Sequence, residues 1–169
     1  MRLPKYVLLG VAMLVAVAAT TSVAFGATRA GTGAKVAVAN TGLGPVLVDG
    51  RGRTLYLFAK DRNGKSACAG QCAGYWPPLI TSGKPVATAG AKASLLGTTR
   101  RPDGRLQVTY NHHPLYTFVK DTRKGQTNGE ELRAFGAEWY AVSATGAKVE
   151  KNDASTGDPM PSGGYGYGY

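Results

Sequence analysis

The chain has 169 residues, 43% hydrophobic and 18% charged, with 20 Lys and Arg against 10 Asp and Glu and only two histidines and two cysteines. That length predicts one compact domain, and so few histidines and cysteines leave little from which to build a multi-ligand metal centre. The basic excess is scattered through turns and not gathered into a run interleaved with aromatics, which argues against nucleic acid as a partner and fits loose attraction to polyanions or simple solubility.

Residues 1–26 have the layout of a signal peptide. Arg2 and Lys5 form a positive start, Val7 to Ala19 an apolar stretch, and small residues follow. Ala24-Phe25-Gly26 is the expected cleavage region, with Ser22-Val23-Ala24 and Thr28-Arg29-Ala30 as alternatives. The stretch tapers through Thr20, Thr21 and Ser22, so no stable membrane span is expected once the signal is removed. No cysteine precedes Cys68, so the Leu-x-x-Cys type of lipid-anchor site is absent. A secreted or cell-wall-associated protein follows from this, with residues 27–34 as a linker.

The body of the chain, residues 35–150, is a duplication. Leu55-Tyr56-Leu57-Phe58-Ala59-Lys60-Asp61 returns as Leu115-Tyr116-Thr117-Phe118-Val119-Lys120-Asp121, with five of the seven positions identical. An internal period means one structural unit used twice, its copies burying their apolar faces against each other. In the first copy (35–80), Lys35 to Ala39 alternates, Val46 to Asp49 is β-branched, and Thr54 to Ala59 is aromatic and aliphatic, with glycine-rich turns between them.

In the second copy (97–148), Gly97 to Arg101 leads into the turn Pro102-Asp103-Gly104, then Leu106 to Tyr110, Asn111-His112-His113 and Pro114 to Val119. Each copy reads as a three-stranded antiparallel meander, and the two pack as one pseudo-twofold, all-β domain. Tyr56 and Phe58 share one strand face, as do Tyr116 and Phe118, so these faces are expected to meet across the twofold. Glu138 to Val142 has strand composition and is expected to close the second unit, while Gly129 to Phe135 suits one short turn. Residues 151–169 form a Gly/Tyr-rich tail with too little apolar bulk to order itself.

Several residues invite a chemical reading. Tyr56 with Asp61, and Tyr116 with Asp121, stand five apart, which in a continuous strand would point to opposite faces. The aspartates are therefore expected just past the strand ends, capping amides of the following turns, ahead of any role as paired acid and base. Cys68 and Cys72, alone in an exported chain, are expected to form a disulfide before Trp76. His112 and His113 are either an exposed polar turn or, with the cysteines, ligands for copper or a redox site.

Two copies of Leu-Tyr-x-Phe-x-x-Asp, a Cys-x3-Cys loop running into Trp76-Pro77-Pro78, and a Trp139-Tyr140-Ala141-Val142 end occur in order. Over roughly 46–148 the chain resembles the bacterial secreted repeat of unknown function, also called the lipoprotein repeat with a Tyr-x4-Asp motif. The resemblance implies an envelope address and a framework of Tyr56, Asp61, Trp76, Tyr116, Asp121 and Trp139, and no reaction. Many relatives are lipid-anchored, a point on which this chain departs.

Other chemistry is missing. Gly64-Lys65-Ser66 has Ala59 where a phosphate loop needs glycine, and there is no Gly-x-Ser-x-Gly or His-Glu-x-x-His. The expectation is a protein without catalytic residues or a cofactor, serving as an envelope binding or structural module for acidic wall polymers or another envelope protein. The alternative is a small extracytoplasmic redox or copper protein using Cys68, Cys72, His112 and His113.

Overall fold

The computed structural model describes residues 32–151. The expected signal peptide, most of the linker and nearly all of the Gly/Tyr-rich tail lie outside them. The described part is almost entirely strands and turns. No helix among the described residues is long and apolar enough to cross a membrane.

The first copy begins with a hairpin of β1 (Lys35–Thr41) and β2 (Gly44–Asp49), registered Val36 to Asp49 through Thr41 to Gly44. A turn closed by Asp49, whose carboxylate accepts the amides of Arg51 and Arg53, brings Thr54 back beside Val48. β3 (Tyr56–Phe58) follows, then one helical turn, α1 (Gln71–Tyr75), which begins in the cysteine loop and carries Cys72. The short strand β4 (Ile80–Thr81) ends the copy, and β5 (Val86–Ala87), from the connector, adds to β1 in parallel, an exception to the antiparallel pattern.

The second copy repeats the plan with β6 (Leu96–Arg100), β7 (Leu106–Tyr110), β8 (His113–Pro114), β9 (Arg133–Ala134) and β10 (Ala137–Ala141). β6, β7 and β8 form the meander. The β7–β8 turn is Asn111-His112, both residues with positive φ, the backbone of the two-residue turns that fit twisted hairpins.

Each copy is completed by a strand of the other. β10 was expected to close its own unit; it pairs with β9 of its own copy and also with β3 of the first copy, Trp139 opposite Phe58 and Ala141 opposite Tyr56. In return β4 pairs with β7 of the second copy, and Pro78 bridges Tyr116. The exchange closes two matching rings of backbone hydrogen bonds. Leu47 donates to Val142, Val142 to Leu55 and Leu55 to Leu47, at 2.7, 3.1 and 2.9 Å. Val108 donates to Leu79, Leu79 to Leu115 and Leu115 to Val108, at 2.8, 2.9 and 3.0 Å. The physical reason is that the run Thr54–Phe58 is apolar on both faces and must be covered on both, which one three-stranded unit cannot do alone.

Two cores result. Tyr56, Phe58, Tyr116 and Phe118 face an aromatic core with Trp76, Trp139 and the disulfide. Leu55, Leu57 and Leu115 face an aliphatic core with Val36, Leu47, Val108 and Val142. Full burial of each such side chain contributes on the order of 1.5–3 kcal/mol before conformational entropy is counted.

Candidate functional site

The signature residues converge at the junction of the copies. Phe58, Trp139, Trp76 and Phe118 form a continuous stack with successive centroid separations of 4.0, 3.9 and 4.2 Å. Tyr56 meets Trp76 edge-on at 5.4 Å, and Tyr116 meets Trp139 edge-on at 5.1 Å. These arrangements suit the ring quadrupoles and supply contact energy beyond burial alone.

Each tyrosine hydroxyl reaches the aspartate of the opposite copy. Tyr56 donates to Asp121 Oδ2 at 2.6 Å, and Tyr116 donates to Asp61 Oδ2 at 2.8 Å. The other oxygen of each carboxylate holds its own loop: Asp61 Oδ1 accepts the Ala67 amide at 2.7 Å, and Asp121 Oδ1 accepts the Asn128 amide at 2.9 Å. Burial pushes the Asp61 carboxyl up to about 6, against the pull of its hydrogen-bond donors and of Arg101. Asp121 and both tyrosine hydroxyls are raised for the same leading reason. Protons therefore stay on the phenols at neutral pH, and the aspartates act as acceptors.

The two junctions differ in their surroundings. Tyr116 also meets Ser66 Oγ at 2.7 Å, and Ser66 accepts from the buried guanidinium of Arg101 at 2.8 Å. Arg101 donates further to Gln107 Oε1 at 2.6 Å and to the Cys68 carbonyl at 2.7 Å. On the other side the Gly129 amide points at the Tyr56 hydroxyl, 3.3 Å away. No sequence signal separates buried Arg101 from the chain's other arginines. Glu130 was missed too: it is buried, accepts the Ala141 amide through Oε2 at 2.6 Å, and leaves Oε1 without a partner among the described residues.

Cys68 and Cys72 form a disulfide and lie inside the aromatic core. The histidines are elsewhere, lining a cleft of about 330 Å³ with Asp61, Asn63, Gly64, Asn111 and Pro114. Burial lowers the His113 pKa, and neighbouring His112 adds to the effect. No group of three or more His, Cys, Asp or Glu side chains placed to hold a metal ion occurs among the described residues. The copper alternative thus loses its thiolates to the disulfide, and the structure does not bring the cysteine and histidine pairs into one cleft.

The surface carries one feature the sequence did not disclose. Tyr75 is 48% exposed, Leu132 39% and Phe135 36%, and together with Lys120 they line an open groove floored by Trp76 and Phe118. Exposed Val119 adjoins it, its amide bonded to the Tyr75 carbonyl. Three of the five exposed large hydrophobics of the described residues therefore line one groove. Phe135 sits in the tight turn between β9 and β10 with φ 57°, beside Gly136 at 94°. A bulky residue in the left-handed region is disfavoured where Asn-Gly would be the ordinary choice. The turn thus keeps an aromatic ring on the surface at the expense of local backbone preference.

A family model described as a secreted repeat of unknown function matches residues 37–80 and again 97–143. No curated protein and no solved structure matches the chain. Two matched copies covering over half the sequence, with their Tyr and Asp landmarks exchanged across the junction, show that this chain belongs to that family of secreted repeats.

Proposed function

We propose that the protein is a non-catalytic envelope module whose contact surface is the groove of Tyr75, Phe135, Leu132 and Lys120, and whose ligand is an acidic wall polymer. The interlocked core beneath makes the groove a rigid platform. Aromatic rings lying open on a rigid base suit the apolar faces of sugar rings, and Lys120 with the overall basic charge suits anionic substituents. Phe135 carries this reading, because backbone strain is retained at a turn whose ring, 36% exposed, lies against Tyr75 at the groove with centroids 6.0 Å apart, the pattern of a residue kept for contact. The Tyr–Asp pairs serve as framework, since all four residues are occupied with one another and with their loops.

Phe135→Asn tests the reading. Asparagine is at home in this turn, so the variant is expected to melt at the same temperature as the parent or higher. Retention on isolated anionic wall polymer is expected to fall at least tenfold. Unchanged retention in a well-folded Phe135→Asn protein contradicts the assignment of the groove.

A further inference from the structure

We infer that a second cleft, between the loop carrying Lys65 and Ser66 and the turn carrying Arg100, Arg101 and Pro102, is a binding site for a phosphate-type oxyanion. The cleft measures about 340 Å³, and its lining includes three cationic side chains and no carboxylate. Arg101 is partly balanced by Asp103 at 3.6 Å and by Asp61, but Lys65 and Arg100 bring two further positive charges to the lining, and an anion in the cleft relieves their mutual repulsion.

The cations differ in how firmly they are held. Arg101 is buried and fixed by Ser66, Gln107 and the Cys68 carbonyl, so it gives the cleft a positioned positive floor. Its Nε has no hydrogen-bond partner among the described residues and is held only by an ion pair to Asp103 Oδ2 at 3.6 Å. Asp103 is itself engaged by Arg105 through bonds of 3.1 and 2.7 Å, which neutralise it at the rim. Arg100 uses one terminal nitrogen on the Gly104 carbonyl at 2.8 Å, leaving the rest of its planar fork available. Lys65 is exposed, and no side-chain hydrogen bond or ion pair engages it among the described residues. A fork beside a point charge over a fixed guanidinium matches the several acceptor oxygens of a phosphate better than a single carboxylate.

This deepens the envelope reading by supplying a subsite for charged substituents, yet it is measured separately. Inorganic phosphate is titrated into the protein at constant ionic strength, with chloride as the control anion, while amide resonances of residues 65–66 and 100–102 are followed. Saturable shifts specific to phosphate are expected. Lys65→Gln combined with Arg100→Gln, both exposed positions, is expected to weaken them at least tenfold, and Phe135→Asn to leave them unchanged. Competition by a glycerol-phosphate polymer or by vesicles containing phosphatidylglycerol distinguishes a wall polymer from a lipid headgroup as the source. Equal shifts with chloride, or full phosphate binding by the double variant, overturns the proposal, whatever becomes of the groove.

Discussion

The amide of Tyr56 donates to the carbonyl of Tyr116 at 2.9 Å, and the amide of Tyr116 returns the bond at 3.0 Å. Equivalent residues of the two copies thus meet on the pseudo-twofold axis. From that point each ring turns toward the carboxylate of the opposite copy. The signature motif is therefore a reciprocal lock: its tyrosine and aspartate serve different partners, and neither repeat satisfies its own pair.

Breaking one half of the lock has a calculable cost. Tyr56→Phe leaves Asp121, 2% exposed, with a buried oxygen lacking its donor, and is expected to cost about 2–3 kcal/mol. Tyr116→Phe is expected to cost less, about 1–2 kcal/mol, because Asp61 is less buried and Ser66 lies at hand. Urea unfolding of the two variants measures the order; equal or reversed losses contradict it.

Much of this frame was legible in the chain. The seven-residue repeat announced the twofold, and alternation placed Tyr56, Phe58, Tyr116 and Phe118 on facing surfaces, where the structure has them. The exchange of closing strands was not legible, because Trp139–Val142 has the same strand composition whichever meander it joins; the choice is made by which doubly apolar strand lies uncovered. Nor was the tyrosine–aspartate bond, since a five-residue spacing within one copy says nothing of a partner 65 or 55 residues away in the other. Phe135 was hidden for a different reason: its backbone violates the preference from which turns are read.

Close approach at Gly129 gives a second prediction. A methyl group there would lie 2.7 Å from the Trp76 ring and 2.9 Å from the Tyr56 ring. Both rings are fixed by the stack and the lock, so neither gives way cheaply. Gly129→Ala is expected to destabilise the protein by about 1–3 kcal/mol, read by thermal melting. An unchanged melting temperature means the aromatic core is looser than described.

Acidity acts in an unusual direction. Burial pushes Glu130 up to about 7 and Asp61 up to about 6, each above its ordinary carboxylate value. The folded protein then holds protons that the unfolded chain releases, so this stability is complete below about pH 4 and is lost as pH rises through 6 to 7. Melting is expected to be several degrees higher at pH 5 than at pH 8. Glu130→Gln, which keeps an acceptor for the Ala141 amide, is expected to flatten that slope and raise the melting temperature at pH 8. A slope of opposite sign, or one untouched by Glu130→Gln, contradicts the assignment.

Folding of the separated halves bears most directly on the interlocked architecture. Residues 32–92 and 93–151, produced as two chains, each lack the strand that completes their sheet and the donors that satisfy their buried carboxylate. Amide spectra of either half alone are expected to show the narrow dispersion of an unfolded chain, and mixing the halves at equal concentration to restore the dispersed spectrum of the parent. A dispersed spectrum and cooperative melting from one half by itself would contradict the account, since the repeats would then be two bodies side by side and not one fold made by exchange.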